Sequence, residues 1–225
     1  MRKSISWILT CLTLAACSLP VDAAPPPTPF ETATTQPALA PTSTSLPVDI
    51  PTQTLAPTKA APFCEDSRGR ELINSLTVAI QSEDGSLLSS LVSPSHGMEV
   101  RFYRDGNAIN YDSEHARFIF ATTYQADWGL SYGSGETTIG SFKQIVLPSL
   151  KQVFTSTSQA ICDELKTGGV TYEPIWPYPD LDFYSVHFAG TDEYGGLDWQ
   201  TWAVGIVMPV DKLYIAAFVH YVWEP

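Results

Sequence analysis

Basic residues are scarce. The 225-residue chain carries 12 Lys and Arg against 24 Asp and Glu, a formal net charge of −12. Within residues 62–225 the imbalance is nine against 21, so no basic stripe is available to neutralise phosphates, and nucleic acid is not an expected partner. Histidine is also rare: His96, His115, His187 and His220 are scattered, and neither H-E-x-x-H nor C-x-x-C occurs. That leaves no recognisable transition-metal motif. Walker A and G-x-G-x-x-G patterns are missing too, so no nucleotide cofactor, and no cofactor of any kind, is expected. Asp180, Asp182, Asp192 and Glu193 read as solvated acidic loops rather than a calcium site. Apolar runs are short. The longest, Ile5 to Leu14, has about ten residues, too few to cross a bilayer core of roughly 30 Å as a helix.

What is present at the N-terminus is organised. Arg2 and Lys3 precede the apolar run, which ends in Leu14-Ala15-Ala16-Cys17. Charge, apolar segment, small residues and Cys in this order resemble the signal peptide and lipobox of bacterial lipoproteins. The resemblance implies removal of residues 1–16 and a thioether-linked diacylglycerol on Cys17, with a further acyl chain, such as palmitate, on its amine. Several acyl chains give a firm membrane anchor, at roughly 0.8 kcal/mol per buried methylene. The expected location is outside the cytoplasmic membrane, on its outer face or at the cell surface.

Residues 18–61 contain ten Pro, nine Thr, eight Ala and three Ser, with no hydrophobic period. The expectation for 17–61 is a lipidated Cys followed by a disordered stalk. Fully extended at ~3.1 Å per residue, it reaches on the order of 140 Å. Residues 62–225 are then one domain of ordinary size. Of four Cys, Cys11 leaves with the signal and Cys17 is lipidated. Cys64 and Cys162 remain, and in an exported protein they are expected to form a disulfide.

Leu72, Ile73, Leu76, Ala79 and Ile80 predict a helix over 68–82 capped by Asp66 or Ser67. Asp84 starts a shorter helix that Pro94 ends. Residues 99–104 alternate as a strand before an Asp105-Gly106 turn, 113–121 read as a helix, and 142–154 as a helix kinked at Pro148. Residues 182–188, 198–208 and 213–223 are rich in aromatic and β-branched residues and predict strands, the last two a hairpin. A tight turn at 209–212 would set Thr201 opposite His220 and Asp198 opposite Trp223. It would put Trp199, Ala203 and Phe218 on one face, and Trp202, Val204 and Val219 on the other. Both faces are apolar, as for a sheet covered on both sides or lining a cavity. The fold class is α+β, helices on a curved, mostly antiparallel sheet, compatible with an NTF2-like cone.

LLSSLVSPSHGMEVRF (87–102), WGLSYGSG (128–135), YEPIWPYPDLDFYSVHFAG (172–190) and YGGLDWQTW…FVHYVW (194–223) are similar to a family of uncharacterised exported bacterial domains, often lipoproteins. The family often has a His before the Pro after the second helix; here Ser93 stands there, with His96 nearby. The resemblance implies a secreted domain with an aromatic-rich pocket or surface, and no established activity.

Three functional readings follow. Residues 62–225 hold 24 aromatics, and the candidate ligand-binding set is Trp128, Trp176, Tyr178, Trp199 and Trp223, with Trp176 and Tyr178 expected as a rigid exposed patch. This favours a non-catalytic module for a small molecule, a glycan or a surface protein. An NTF2-like acid–base enzyme would use His220 and Asp198. A serine hydrolase would use Ser131, since Gly129-Leu130-Ser131-Tyr132-Gly133 matches G-x-S-x-G, although Gly133-Ser134-Gly135 is a poor start for the helix that motif needs.

Overall fold

The computed structural model describes residues 62–225. The expected signal peptide (1–16), the expected lipidation site (Cys17) and the expected stalk (17–61) lie outside the described residues. Among the described residues, no helix is long and apolar enough to cross a membrane.

A 3-10 turn at Phe63–Glu65 leads into α1, Ser67–Ser82. The Asp66 carboxylate accepts from the Arg68 N–H at 2.9 Å and caps the helix. Its stripe of Leu72, Ile73, Leu76, Ala79 and Ile80 is buried. Glu83 ends the helix in the left-handed region, and its N–H reaches Ala79 O and Ile80 O. Asp84 caps α2, Gly85–Leu91, through the Leu87 N–H at 2.9 Å.

Then follow β1 (Met98–Arg101), β2 (Ala108–Tyr111), α3 (Ser113–Ala116), β3 (Ala126–Leu130) and β4 (Thr137–Gly140). Two short helices, α4 (Phe142–Ile145) and α5 (Leu147–Val153), take the place of one kinked helix; Pro148 sits in the first turn of the second, where its missing N–H costs nothing. Strands β5 (Ala160–Cys162), β6 (Asp182–Phe188), β7 (Gln200–Val207) and β8 (Tyr214–Val222) complete the chain, with a 3-10 turn at Asp192–Tyr194.

The fold is α+β. Six strands form one curved sheet in the order β2-β1-β8-β7-β6-β5, antiparallel throughout except for the parallel pair β1 and β8. β3 and β4 form a separate hairpin. The Cys64–Cys162 disulfide, with its Cα atoms 5.7 Å apart, ties the first turn of the domain to edge strand β5. Closing a loop of this length stabilises by about 4.7 kcal/mol in the chain-entropy model.

One face of the sheet carries Tyr184, Val186, Trp202, Val204 and Phe218 against the helices. The other carries Phe183, Ala203, Val219 and Tyr221, with Trp199, under the 163–181 segment, which lays Leu165, Val170, Tyr172, Trp176 and Tyr178 across it. Gly205 permits this close approach: a Cβ there would meet the Trp176 ring at 2.9 Å. The sheet is covered on both faces.

Three local expectations are corrected. The strand before Asp105-Gly106 ends at Arg101, and the hairpin is closed by residues 102–107, not a two-residue turn. The 113–121 helix stops at Ala116 and continues as i→i+3 turns. Its Phe118-Ile119-Phe120 run is a poor helix former, and consecutive Ile119 and Phe120 are both buried. Finally, the β7–β8 register shifts between Gly205 and Ile206, leaving Ala216 unpaired as a bulge. Thr201 therefore faces Tyr221, and Trp202 faces His220. The shift exchanges the expected faces of Phe218 and Val219, because one residue of slip turns every side chain over.

Candidate functional site

His220 lies on the helix-covered face of β8 and is 4% exposed. Its ring stacks on Trp202, with centroids 4.4 Å apart and planes 12° from parallel. Nδ1 is 3.1 Å from Phe102 O. A carbonyl only accepts, so Nδ1 carries the proton and Nε2 holds the lone pair. Nε2 meets Ser149 Oγ at 3.0 Å and Gln200 Oε1 at 3.2 Å. Ser149 Oγ donates its one proton to Gln200 Oε1 at 2.5 Å and accepts from Trp202 Nε1 at 2.8 Å. Burial drives the His220 pKa down to about 3, against a smaller opposing pull from Phe102 O. A general base works best with a pKa near the working pH, so this imidazole is a weak one.

Asp198 is elsewhere. It precedes β7, and its carboxylate accepts from the Thr191 N–H at 2.7 Å and the Thr191 hydroxyl at 3.0 Å. These bonds, the backbone one foremost, hold its pKa below the usual carboxylate range. The structure does not bring Asp198 and His220 together. Asp198 braces the 191–197 turn instead.

Ser131 sits between β3 and β4, where its N–H donates to Glu136 O and its C=O accepts from Gly135 N–H. The motif is thus strand–turn–strand, without the helix a nucleophile elbow requires. Gly129 adopts φ +101 and packs on Gly106, which is why glycine is needed there.

The expected aromatic set is dispersed. Trp128 is fully buried and donates from Nε1 to Gly140 O at 2.9 Å. Trp199 is buried on the opposite side and donates to Gly169 O at 3.2 Å. Trp176 and Tyr178 do not form an exposed patch. Both are half-buried, Trp176 stacked on Phe183 at 4.7 Å and bonded to Leu181 O at 2.9 Å. Tyr178 hydrogen-bonds Glu99 and accepts from Arg101 Nε at 2.9 Å. Burial first, and Glu99 second, push its hydroxyl up to about 12. A Pro-rich aromatic loop looked free because the sheet face beneath it was not visible in sequence. Trp223 alone of the five is exposed, near the chain end.

The aromatics that do reach solvent together are Phe118, 60% exposed, and Tyr124, 63% exposed. With Ile109, Tyr111 and His115 they line a groove of about 300 Å3 beside edge strand β2. Tyr111 is buried there, and its hydroxyl has no hydrogen-bond partner among the described residues. Burial lifts its pKa to about 12. Sequence reading missed this groove because it placed Phe118 in a helix. It missed Ser149 because nothing in the α5 sequence marks it as a partner for a histidine 71 positions away.

Comparisons of the chain with family models, curated proteins and solved structures return no significant match.

Proposed function

We propose that this is an exported protein, lipid-anchored through Cys17, whose 62–225 domain is a non-catalytic binding module of the NTF2-like type with a filled cone. The curved six-stranded sheet under helices supports that fold analogy. One observation carries the functional reading: Trp128, Trp202, Phe218 and His220 occupy the space between sheet and helices, while Phe118 and Tyr124 stand exposed around a groove. Large exposed aromatics around a concavity mark a contact surface. The groove suits a flat, mostly apolar group of a small ligand or of a partner protein.

The test uses the apolar fluorophore 1-anilinonaphthalene-8-sulfonate on the native, full chain. Bound fluorescence is expected, and Phe118→Ser with Tyr124→Ser should remove it without lowering Tm. Fluorescence that survives the double substitution would contradict the groove. For the anchor, Cys17→Ser should shift the protein from the membrane to the soluble fraction. Persistence in the membrane would contradict lipidation at that residue.

A second reading rests on Ser149 Oγ at 3.0 Å from His220 Nε2, a nucleophile–base distance. Labelling of Ser149 by a fluorophosphonate would favour a hydrolase; an unlabelled native protein favours the binding module. The same probe decides for Ser131.

A further inference from the structure

His187 differs from the other histidines in how its two nitrogens are used. It ends β6 on the face opposite His220, paired with Thr201 of β7. The Thr201 hydroxyl donates its only proton to Lys166 O at 2.5 Å. Thr201 Oγ1 lies 2.8 Å from His187 Nδ1, so Nδ1–H must be the donor in that contact. The neutral ring then carries its lone pair on Nε2. That atom has no hydrogen-bond partner among the described residues, and it is not one of the fully buried unpartnered atoms, so it keeps some access to solvent. His187 lines a cleft of about 460 Å3 where the α5–β5 connection meets the end of β6.

A second chain of hydroxyls borders the same cleft. Ser158 Oγ donates to Val153 O at 2.6 Å. Its proton is committed, so Thr155 Oγ1, at 2.8 Å, donates to Ser158. Thr157 Oγ1, at 3.2 Å, must then donate to Thr155. Every proton runs inward, and Thr157 presents only lone pairs outward. Gln152 also borders the cleft, its side-chain amide paired with that of Gln200 at 2.8 Å. The Lys166 side chain, exposed on the rim, adds further donors.

We propose that this cleft is a binding site for a polyhydroxyl ligand, a neutral sugar chain, whose hydroxyls donate to His187 Nε2 and Thr157 Oγ1 and accept from Lys166. A hydroxyl is both donor and acceptor, so one chemical class satisfies this alternating set. A fully ionised oxyanion such as sulfate has no proton to give and leaves both lone pairs facing it. Burial first, and Lys166 second, hold the His187 pKa below its ordinary value, which keeps the acceptor form at neutral pH. The cleft is separate from the Phe118–Tyr124 groove.

The experiment is an NMR titration of the full chain in detergent with maltotriose, cellotriose and chitotriose. At least one should shift the His187 ring and Thr157 amide signals. Binding should weaken about tenfold in Thr157→Val and in His187→Phe, the loss of one hydrogen bond each. Thr157 is exposed, so its variant keeps the fold and the test intact. Phe118→Ala should leave the affinity unchanged. The proposal is overturned if no trisaccharide shifts these signals, if both cleft variants bind as the parent does, or if only inorganic phosphate moves them. Loss of sugar binding in Phe118→Ala alone would also overturn it, by moving the sugar to the aromatic groove.

Discussion

His220 and His187 lie in one sheet, on opposite faces, and have the same tautomer for different reasons. Phe102 O fixes the first, and a Thr201–Lys166 relay fixes the second. The difference lies at Nε2. In His220 it is enclosed by Ser149 and Gln200 under a stacked Trp202; in His187 it is open to a cleft. An aromatic strand around a histidine thus signals confinement more than chemistry. An imidazole can take part in hydrogen bonding to a ligand where one nitrogen is held and the other is left bare.

The comparison can be broken most forcefully at Trp202. Trp202→Ala removes the stacked lid and a donor to Ser149, and should cost about 3–5 kcal/mol of stability by chemical denaturation. Reduction of Cys64–Cys162 should cost about 2–5 kcal/mol by the same measurement, with no effect on either imidazole.

Acid comes next. A buried neutral His220 binds its proton only near pH 3, whereas in the unfolded chain it does so near 6.5. Between these values the unfolded state holds more protons, so stability rises with pH and falls as pH drops through 6.5. The loss should be on the order of 1 kcal/mol per pH unit until about pH 3. His220→Phe should flatten that slope, while His187→Phe should leave most of it. The smallest effect is expected for His187→Phe on stability itself, below about 1 kcal/mol, since Thr201 keeps its bond to Lys166 O. A larger loss would make His187 a packing residue and end the contrast.

Much of the scaffold was legible. Asp66 and Asp84 caps, the α1 stripe and the 182–188 strand follow from local rules that the tertiary structure leaves alone. The disulfide followed from elimination among four Cys. The bulge at Ala216 did not, because no Gly or Pro marks it, and its effect reaches every partner of β8 beyond it. The parallel pairing of β1 with β8 joins strands more than 100 residues apart and leaves no local trace. The site was harder still. His220 was a candidate from its place in an aromatic strand, yet its neighbours Phe102, Ser149 and Trp202 come from three separate segments. His187, in DFYSVHF, looks like any alternating strand residue. Its character depends on a hydroxyl proton shared across two other segments.

Long-range 1H–15N correlation of the imidazoles in the intact protein, followed from pH 8 downward, is the most direct test. The account predicts that His187 shows a protonated Nδ1 and a bare Nε2 at neutral pH and titrates below 6.5, while His220 shows the same tautomer and does not titrate until about pH 3. A His220 that titrates near neutrality, or a His187 protonated on Nε2, would contradict it.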